Sequence, residues 1–125
     1  MTIEERAAKA ADLKAAGACN CSQAVVKVFE DKLSLDDETL MKLTAGYAAG
    51  MGCLEATCGA LIGAVMTAGA GTPRYSKEIL AKFQQKCGAT ICRELKGVGT
   101  EKVLCECPEC VRNAVLALGE VMGIE

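Results

Sequence analysis

Twenty alanines and thirteen glycines stand against two phenylalanines, two tyrosines and no tryptophan in this 125-residue chain. Such a chain cannot fill a core with bulk, so its elements have to approach one another closely. The local signals are helical throughout. Thr2 followed three residues later by Glu5 is a capping-box pattern, and the alanine-rich run behind it is expected to stop at Gly17. Ser22 opens a second helix with Val25, Val28 and Phe29 on one face, and Ser34 or Asp36 caps a third, on which Leu40, Leu43 and Tyr47 share a face. Thr57 is expected to cap an apolar helix ending near Gly71. Thr72 and Pro73 separate it from a helix over 76–86 capped by Ser76. Thr90 restarts a short turn through Leu95, and Pro108 begins a last helix with a stripe of Val111, Val115, Leu118 and Met122.

No alternating apolar pattern accompanies turn signals, so the expected class is all-α. The expected architecture is a compact bundle of about five to six helices with short loops, one cysteine-rich domain over residues 1–125. Gly59 and Gly63, four apart, put a flat strip on one helix face, suited to close packing against a neighbouring helix.

Fourteen basic and sixteen acidic side chains form no block of one sign, which argues against a nucleic-acid partner. The longest uncharged stretch, Ala56–Pro73, is too short and too interrupted by glycine for a membrane span. The beginning, Met1-Thr2-Ile3-Glu4-Glu5-Arg6, lacks the basic start and apolar run of a secretory signal. The expected compartment is therefore the cytoplasm. There, nine cysteines point to metal binding or redox work rather than to a disulfide framework.

The absence of any histidine excludes Ser/His/Asp and Cys/His nucleophile pairs, histidine zinc sites and histidine-ligated haem. Chemistry falls to sulfur. Cys21, Cys58, Cys92 and Cys110 each adjoin an expected helix start, where unpaired N–H groups and the helix dipole lower a thiol pKa. Cys53 and Cys58 are five apart, as are Cys87 and Cys92. In unbroken helix each pair would diverge by roughly 140°. Either a break at Gly52 or Gly88 redirects one member, or the two members face different sites. Cys105-x-Cys107-x-x-Cys110 is the densest and most ligand-like group, whereas Cys19 and Cys87, each taken singly, read more simply as small buried hydrophobes.

Structural zinc commonly uses two C-x-x-C knuckles, and the chain has one, Cys107-Pro-Glu-Cys110. The same motif could serve a thiol–disulfide oxidoreductase, although no strand–helix–strand pattern precedes it. Iron–sulfur clusters take cysteine thiolates at irregular spacing without histidine and fit best. Zinc in an interaction module is the lesser alternative.

Asn20-Cys21-Ser22-Gln23-Ala24-Val25, Gly50-Met51-Gly52, Cys58-Gly59-Ala60-Leu61-Ile62-Gly63, Cys92-Arg93-Glu94-Leu95 and Cys110 before a last helix resemble the C_GCAxxG_C_C family of putative redox-active proteins. The resemblance covers roughly residues 18–120 and extends to split-Soret cytochrome c, without its haem motifs. It implies Cys21, Cys58, Cys92 and Cys110 as the cofactor-binding set, holding an iron–sulfur cluster for electron transfer or redox chemistry. Five cysteines lie outside that pattern. Of these, Cys53, Cys87, Cys105 and Cys107 are candidate additional ligands. Arg93 and Arg112 are candidates for adjusting a cluster's potential, and Glu55 for a favourable acid in a first helical turn. Tyr47 and Tyr75 read as packing residues. No catalytic residue is assigned. The expected partner is an unidentified redox protein, and the glycine face leaves a homodimer open.

Overall fold

A computed structural model describes residues 1–69 and 73–125. Seven α-helices follow one another: α1 Ile3–Ala15, α2 Cys21–Lys27, α3 Asp37–Thr44, α4 Gly59–Ala68, α5 Pro73–Cys87, α6 Cys92–Lys96 and α7 Cys107–Met122. The all-α class holds, with no strand among the described residues. The count reaches seven because the short turn expected before Leu95 is a five-residue helix.

Several ends differ from the sequence expectation. Thr2 forms the expected capping box with Glu5, and Asp36, not Ser34, caps α3. The second helix begins at Cys21 rather than Ser22, because Asn20 accepts from the Gln23 N–H while the Gln23 side chain accepts from the Asn20 N–H. Cys58 rather than Thr57 is the cap residue of α4, since Thr57 is held in a bridge to Ile91. Proline's preset φ starts α5 at Pro73, so Ser76 lies inside the helix and caps nothing. The expected end of the apolar helix near Gly71 and the break at Thr72 lie outside the described residues. Leu40 is buried, but Leu43 and Tyr47 are exposed, because α3 stops at Thr44 and residues 45–47 continue as a 3₁₀ turn. Met122 likewise leaves the otherwise buried stripe of Val111, Val115 and Leu118.

Helix α7 is central, packing against α1, α2, α4 and α5. Small residues permit this. A Cβ on Gly119 of α7 would strike the Ile3 side chain of α1, and the Ile3 N–H donates to the Glu125 carbonyl at 2.8 Å, tying the two ends of the chain together. Gly63 of α4 faces α2 so closely that a Cβ would lie 2.8 Å from the Ser22 carbonyl oxygen. Phe29 and Phe83 are both fully buried, each contributing roughly 3 kcal/mol of apolar burial. Arg6 is buried as well. Its guanidinium lies 5.1 Å from the Phe29 ring centroid, donates to the Val28 carbonyl, and forms a two-pronged pair with Asp31 at 2.7 and 2.8 Å.

Gly63→Ala should destabilise the fold by about 2 kcal/mol net, the overpacking cost exceeding the helix-propensity gain of roughly 1 kcal/mol. A lower urea midpoint would register it, and an unchanged midpoint would contradict the close approach. The Arg6 guanidinium beside Asp31 lowers that carboxyl from 3.8 to about 2. Because the folded-state pKa is depressed, the pair's stabilisation is present above about pH 4 and lost as pH falls toward 2. Asp31 is 61% exposed, so solvent screening leaves about 1 kcal/mol. Asp31→Asn should remove that pH dependence between 4 and 2 in acid denaturation curves.

Candidate metal centre

The first cysteine of the site is placed by polar side chains. At the start of α2, Ser22 Oγ donates to the Thr44 carbonyl at 2.6 Å, Gln23 Nε2 to the Met41 carbonyl at 3.0 Å and Asn20 Nδ2 to the Ala45 carbonyl at 3.2 Å. These donors cap carbonyls at and just beyond the end of α3, where intrahelical partners run out, and the Met41 carbonyl also accepts from the Ala45 N–H. Two short segments thereby lock together, with Cys21 as the first helical residue beside the lock.

Beyond α3 the backbone turns left-handed over four consecutive residues, with φ of 54° at Ala49, 58° at Gly50, 61° at Met51 and 80° at Gly52. For Ala49 and Met51 this costs roughly 1–2 kcal/mol each. The turn presents the Ala49 N–H to the Cys21 sulfur. It also presses on the site: a Cβ on Gly50 would lie 2.7 Å from Cys92 Cβ. Glycine is required there by both conformation and space.

Cys58 and Cys92 are clamped side by side. The Cys58 N–H donates to the Thr90 carbonyl at 2.8 Å and the Cys92 N–H to the Ala56 carbonyl at 3.0 Å, around the antiparallel Thr57–Ile91 bridge. Gly59, directly after Cys58, lies where any side chain would collide. Its Cβ would fall 2.6 Å from Cys21 Sγ and 2.8 Å from the Tyr47 carbonyl oxygen. The Cys-Gly-Ala-x-x-Gly segment is therefore one device: Cys58 supplies sulfur, Gly59 makes room for the Cys21 sulfur, and Gly63 admits the α2 backbone.

The last group comes from α7 and the residue pair before it. Cys107 opens α7 and Cys110 sits at the end of its first turn, so one helix start directs both sulfurs inward. Cys21, Cys58, Cys92, Cys107 and Cys110 line a single narrow cavity with Ala49, Gly59, Leu95 and Lys96. Its free space is about 10 Å³, room for one water. On the other side of Cys110, the sulfurs of Cys87, Cys105 and Cys110 all lie within 4.8 Å of one another, close enough to hold one metal ion together. Cys110 belongs to both groups.

The breaks raised by the five-residue spacings are present. Cys87 ends α5, and Gly88, at φ 93°, separates it from Cys92 at the start of α6. Cys53 directly follows the left-handed segment and is exposed, with its sulfur 3.5 Å from the Gly50 carbonyl oxygen, and does not line the cavity. Cys19 is buried outside the cavity. Of the additional candidates, Cys87, Cys105 and Cys107 join the sulfur assembly and Cys53 does not.

Helix starts do not lower every thiol. Cys58 is brought down from 9.0 to about 7 by a hydrogen bond from Cys110, against the effect of burial, with help from the Leu61 and Ala60 N–H groups. Cys87 is brought down to about 6 by Cys110, again against burial, with Asn113 and Cys105 also donating. Cys110 is raised because Cys58 first, and then Cys87, draw on its single thiol proton, which also reaches the Cys105 carbonyl oxygen 3.5 Å away. Burial raises Cys21 and Cys92, and pushes Cys105 up to about 12. At Cys21 desolvation exceeds the effect of the Ala49 N–H, and at Cys92 it exceeds the Coulombic pull of Lys96. The N–H that does reach Cys21 comes from Ala49, not from its own helix.

The charged residues also depart from expectation. Arg93 pairs with Glu55 at 2.6 Å and Arg112 with Glu109 at 3.4 Å, all at the surface, and neither arginine lines the cavity. Glu55 follows the left-handed segment and precedes α4 by four residues, so it is not in a first helical turn. The cation at the cavity is Lys96. Burial lowers its pKa, but the Coulombic pull of Cys107, Cys92 and Cys21 outweighs this and holds it above 10.5. Its position four residues after Cys92 puts both on one helical face, a signal present in the sequence. Asn113, three residues after Cys110, was legible the same way. Tyr75 packs against the core.

Buried and half-buried thiols gather in two groups that share Cys110, with no histidine in the chain and one sulfur in each group favouring the thiolate form. This donor set suits soft metals, zinc and iron–sulfur clusters. The molecule is thus a helical protein with a sulfur-only candidate metal centre. Over residues 19–121 it matches the family model described as putative redox-active protein (C_GCAxxG_C_C), and it belongs to that family. No curated protein and no solved structure matches the chain.

The thiolate pattern can be titrated. Ultraviolet thiolate absorbance of protein stripped of metal should be present at neutral pH and disappear in steps near 7 and 6 as Cys58 and Cys87 take up protons. Cys58→Ser should remove the upper step. Absorbance appearing only near pH 9 would contradict the hydrogen-bond assignment.

Proposed function

We propose that this protein is an iron–sulfur redox protein in which Cys21, Cys58, Cys92 and Cys110 hold the cluster. The observation that carries this reading is that these four cysteines, drawn from four helix starts far apart in the chain, line one buried cavity. These residues would hold an iron–sulfur cluster, their sulfurs parting to enlarge a space of about 10 Å³, and the cluster would supply single-electron exchange with a redox partner. The protein's own residues have identifiable tasks. Cys58 and Cys21 receive backbone N–H donors from Leu61, Ala60 and Ala49, which favour their thiolate forms. Lys96 supplies the positive charge that offsets part of the negative charge of several thiolates, and hydrogen bonds and charge of this kind adjust a cluster's potential. Cys107, in the same wall, is an additional sulfur available to the group. Among the described residues no helix is long and apolar enough to cross a membrane.

A second reading rests on the spacing of Cys87, Cys105 and Cys110, which suits one zinc-sized ion. It predicts colourless protein with zinc and no sulfide.

Anaerobically purified or reconstituted protein should be brown and contain iron and acid-labile sulfide. Serine at Cys21, Cys58, Cys92 or Cys110 should abolish or greatly reduce both, whereas Cys19→Ser and Cys53→Ser should leave them unchanged. Colourless, iron-free protein after reconstitution would refute the cluster.

A further inference from the structure

Cys87 and Cys105 lie outside the cavity wall formed by the other five sulfurs, and they face each other directly. The Cys105 thiol donates to Cys87 Sγ at 3.5 Å. Asn113 Nδ2 donates to the same Cys87 sulfur at 3.4 Å and approaches Cys105 Sγ at 4.0 Å. One sulfur of the pair therefore accepts while the other carries the proton. Cys87 is 4% exposed and Cys105 half-buried. Their chain neighbours Gly88 and Leu104 line an open surface hollow. Gly88, in the left-handed region at φ 93°, ends α5 directly after Cys87, while Cys105 sits in irregular chain before α7. Neither sulfur is held in the middle of a helix, so closing the gap to a bond length near 2.05 Å asks for a modest local shift.

We propose that Cys87 and Cys105 form a peroxide-reactive thiol pair, with Cys87 as the attacking sulfur and Cys105 as the resolving one. In the first step Cys87 Sγ attacks a peroxide oxygen. An S–O bond forms, the O–O bond breaks, and the departing hydroxide leaves as water with the proton given up by the Cys87 thiol, giving a sulfenic acid at Cys87. In the second step Cys105 Sγ attacks Cys87 Sγ. The S–S bond forms, the S–O bond breaks, and the hydroxide leaves with the Cys105 proton as a second water. Two thiols lose two electrons in total and hydrogen peroxide is reduced to two waters, so no further oxidant is required. A hydroperoxide of this size is little larger than water, which suits a sulfur with only slight exposure, and an adjacent resolving thiol keeps the oxidation reversible by a dithiol. Neither sulfur is among the four proposed to hold a cluster, although Cys110 of that set lies within 4.8 Å of both, and the pair adds a two-electron thiol chemistry to whatever that centre does.

The test treats anaerobically purified full-length protein with one equivalent of hydrogen peroxide, blocks remaining thiols, and maps peptides without reduction. The expected result is a Cys87–Cys105 linked peptide, lost after dithiothreitol and absent from Cys87→Ser and Cys105→Ser. In Cys105→Ser, and in Cys105→Ala as a second variant, dimedone should label Cys87. A first disulfide joining any other pair would overturn the proposal, as would dimedone label on Cys105 in Cys87→Ser at the wild-type rate. So would a Cys87–Cys105 pair unreactive toward peroxide, including one kept reduced by zinc. Iron and sulfide measured on the same samples report on the cluster separately, so the linked peptide without iron, or iron without the linked peptide, shows which of the two readings has failed.

Discussion

The architecture depends on the close approach of α4 to α2. Gly63 brings the α4 backbone against the Ser22 carbonyl, and Gly59 leaves room for a sulfur and a carbonyl oxygen where a Cβ would collide with both. With the helices this close, Cys21 at the start of one and Cys58 at the start of the other reach the same cavity. A larger residue at either glycine would separate the helices and with them the two sulfurs. The same economy of volume recurs at Gly119 against Ile3, where α7 receives α1. A core poor in aromatic residues is thus the condition for gathering thiols, since bulk between the helices would keep the cysteines apart.

Around this contact, backbone hydrogen bonds set the positions of the sulfurs and sulfur hydrogen bonds set their protonation. The Thr57–Ile91 bridge fixes Cys58 beside Cys92, and the left-handed turn at Ala49–Gly52 accepts strain while presenting an N–H to Cys21. Cys110 then links the two thiol groups, because Cys58 and Cys87 both draw on its single proton. It is held protonated while its two acceptors are held toward thiolate. Crowded buried thiols cannot all ionise, for the same reason that paired carboxylates cannot, and the protons divide unequally among them.

Much of this was legible in the chain. Thr2 and Glu5, Asp36, Pro108 and the stripe through Val111, Val115 and Leu118 are local signals whose physics acts within a few residues, and they hold in the structure. Gly59 and Gly63 were readable as a packing strip for the same reason. The misplacements have a common cause. Thr57, Ser76 and Thr90 are good capping residues that cap nothing, because Thr57 is engaged by Ile91 across 34 positions and Pro73 already starts α5. Arg93 and Arg112 looked available for the site, but nearby or distant carboxylates hold them at the surface. Lys96 and Asn113 carried only a spacing signal from Cys92 and Cys110, which becomes meaningful once those cysteines are known to face inward.

By itself the sequence determined the chemistry available and the local elements that carry it: sulfur without histidine, helices with glycine strips, and cysteines near helix starts. These follow from residue identity and from spacing along one helix. Tertiary structure decided which sulfurs meet, separating Cys53 and Cys19 from the rest and adding Cys87, Cys105 and Cys107. It also decided which thiols ionise, because burial, donor geometry and neighbouring sulfurs are properties of the packed chain, and at Cys21, Cys92 and Cys110 they override the helix-start effect that local position predicts.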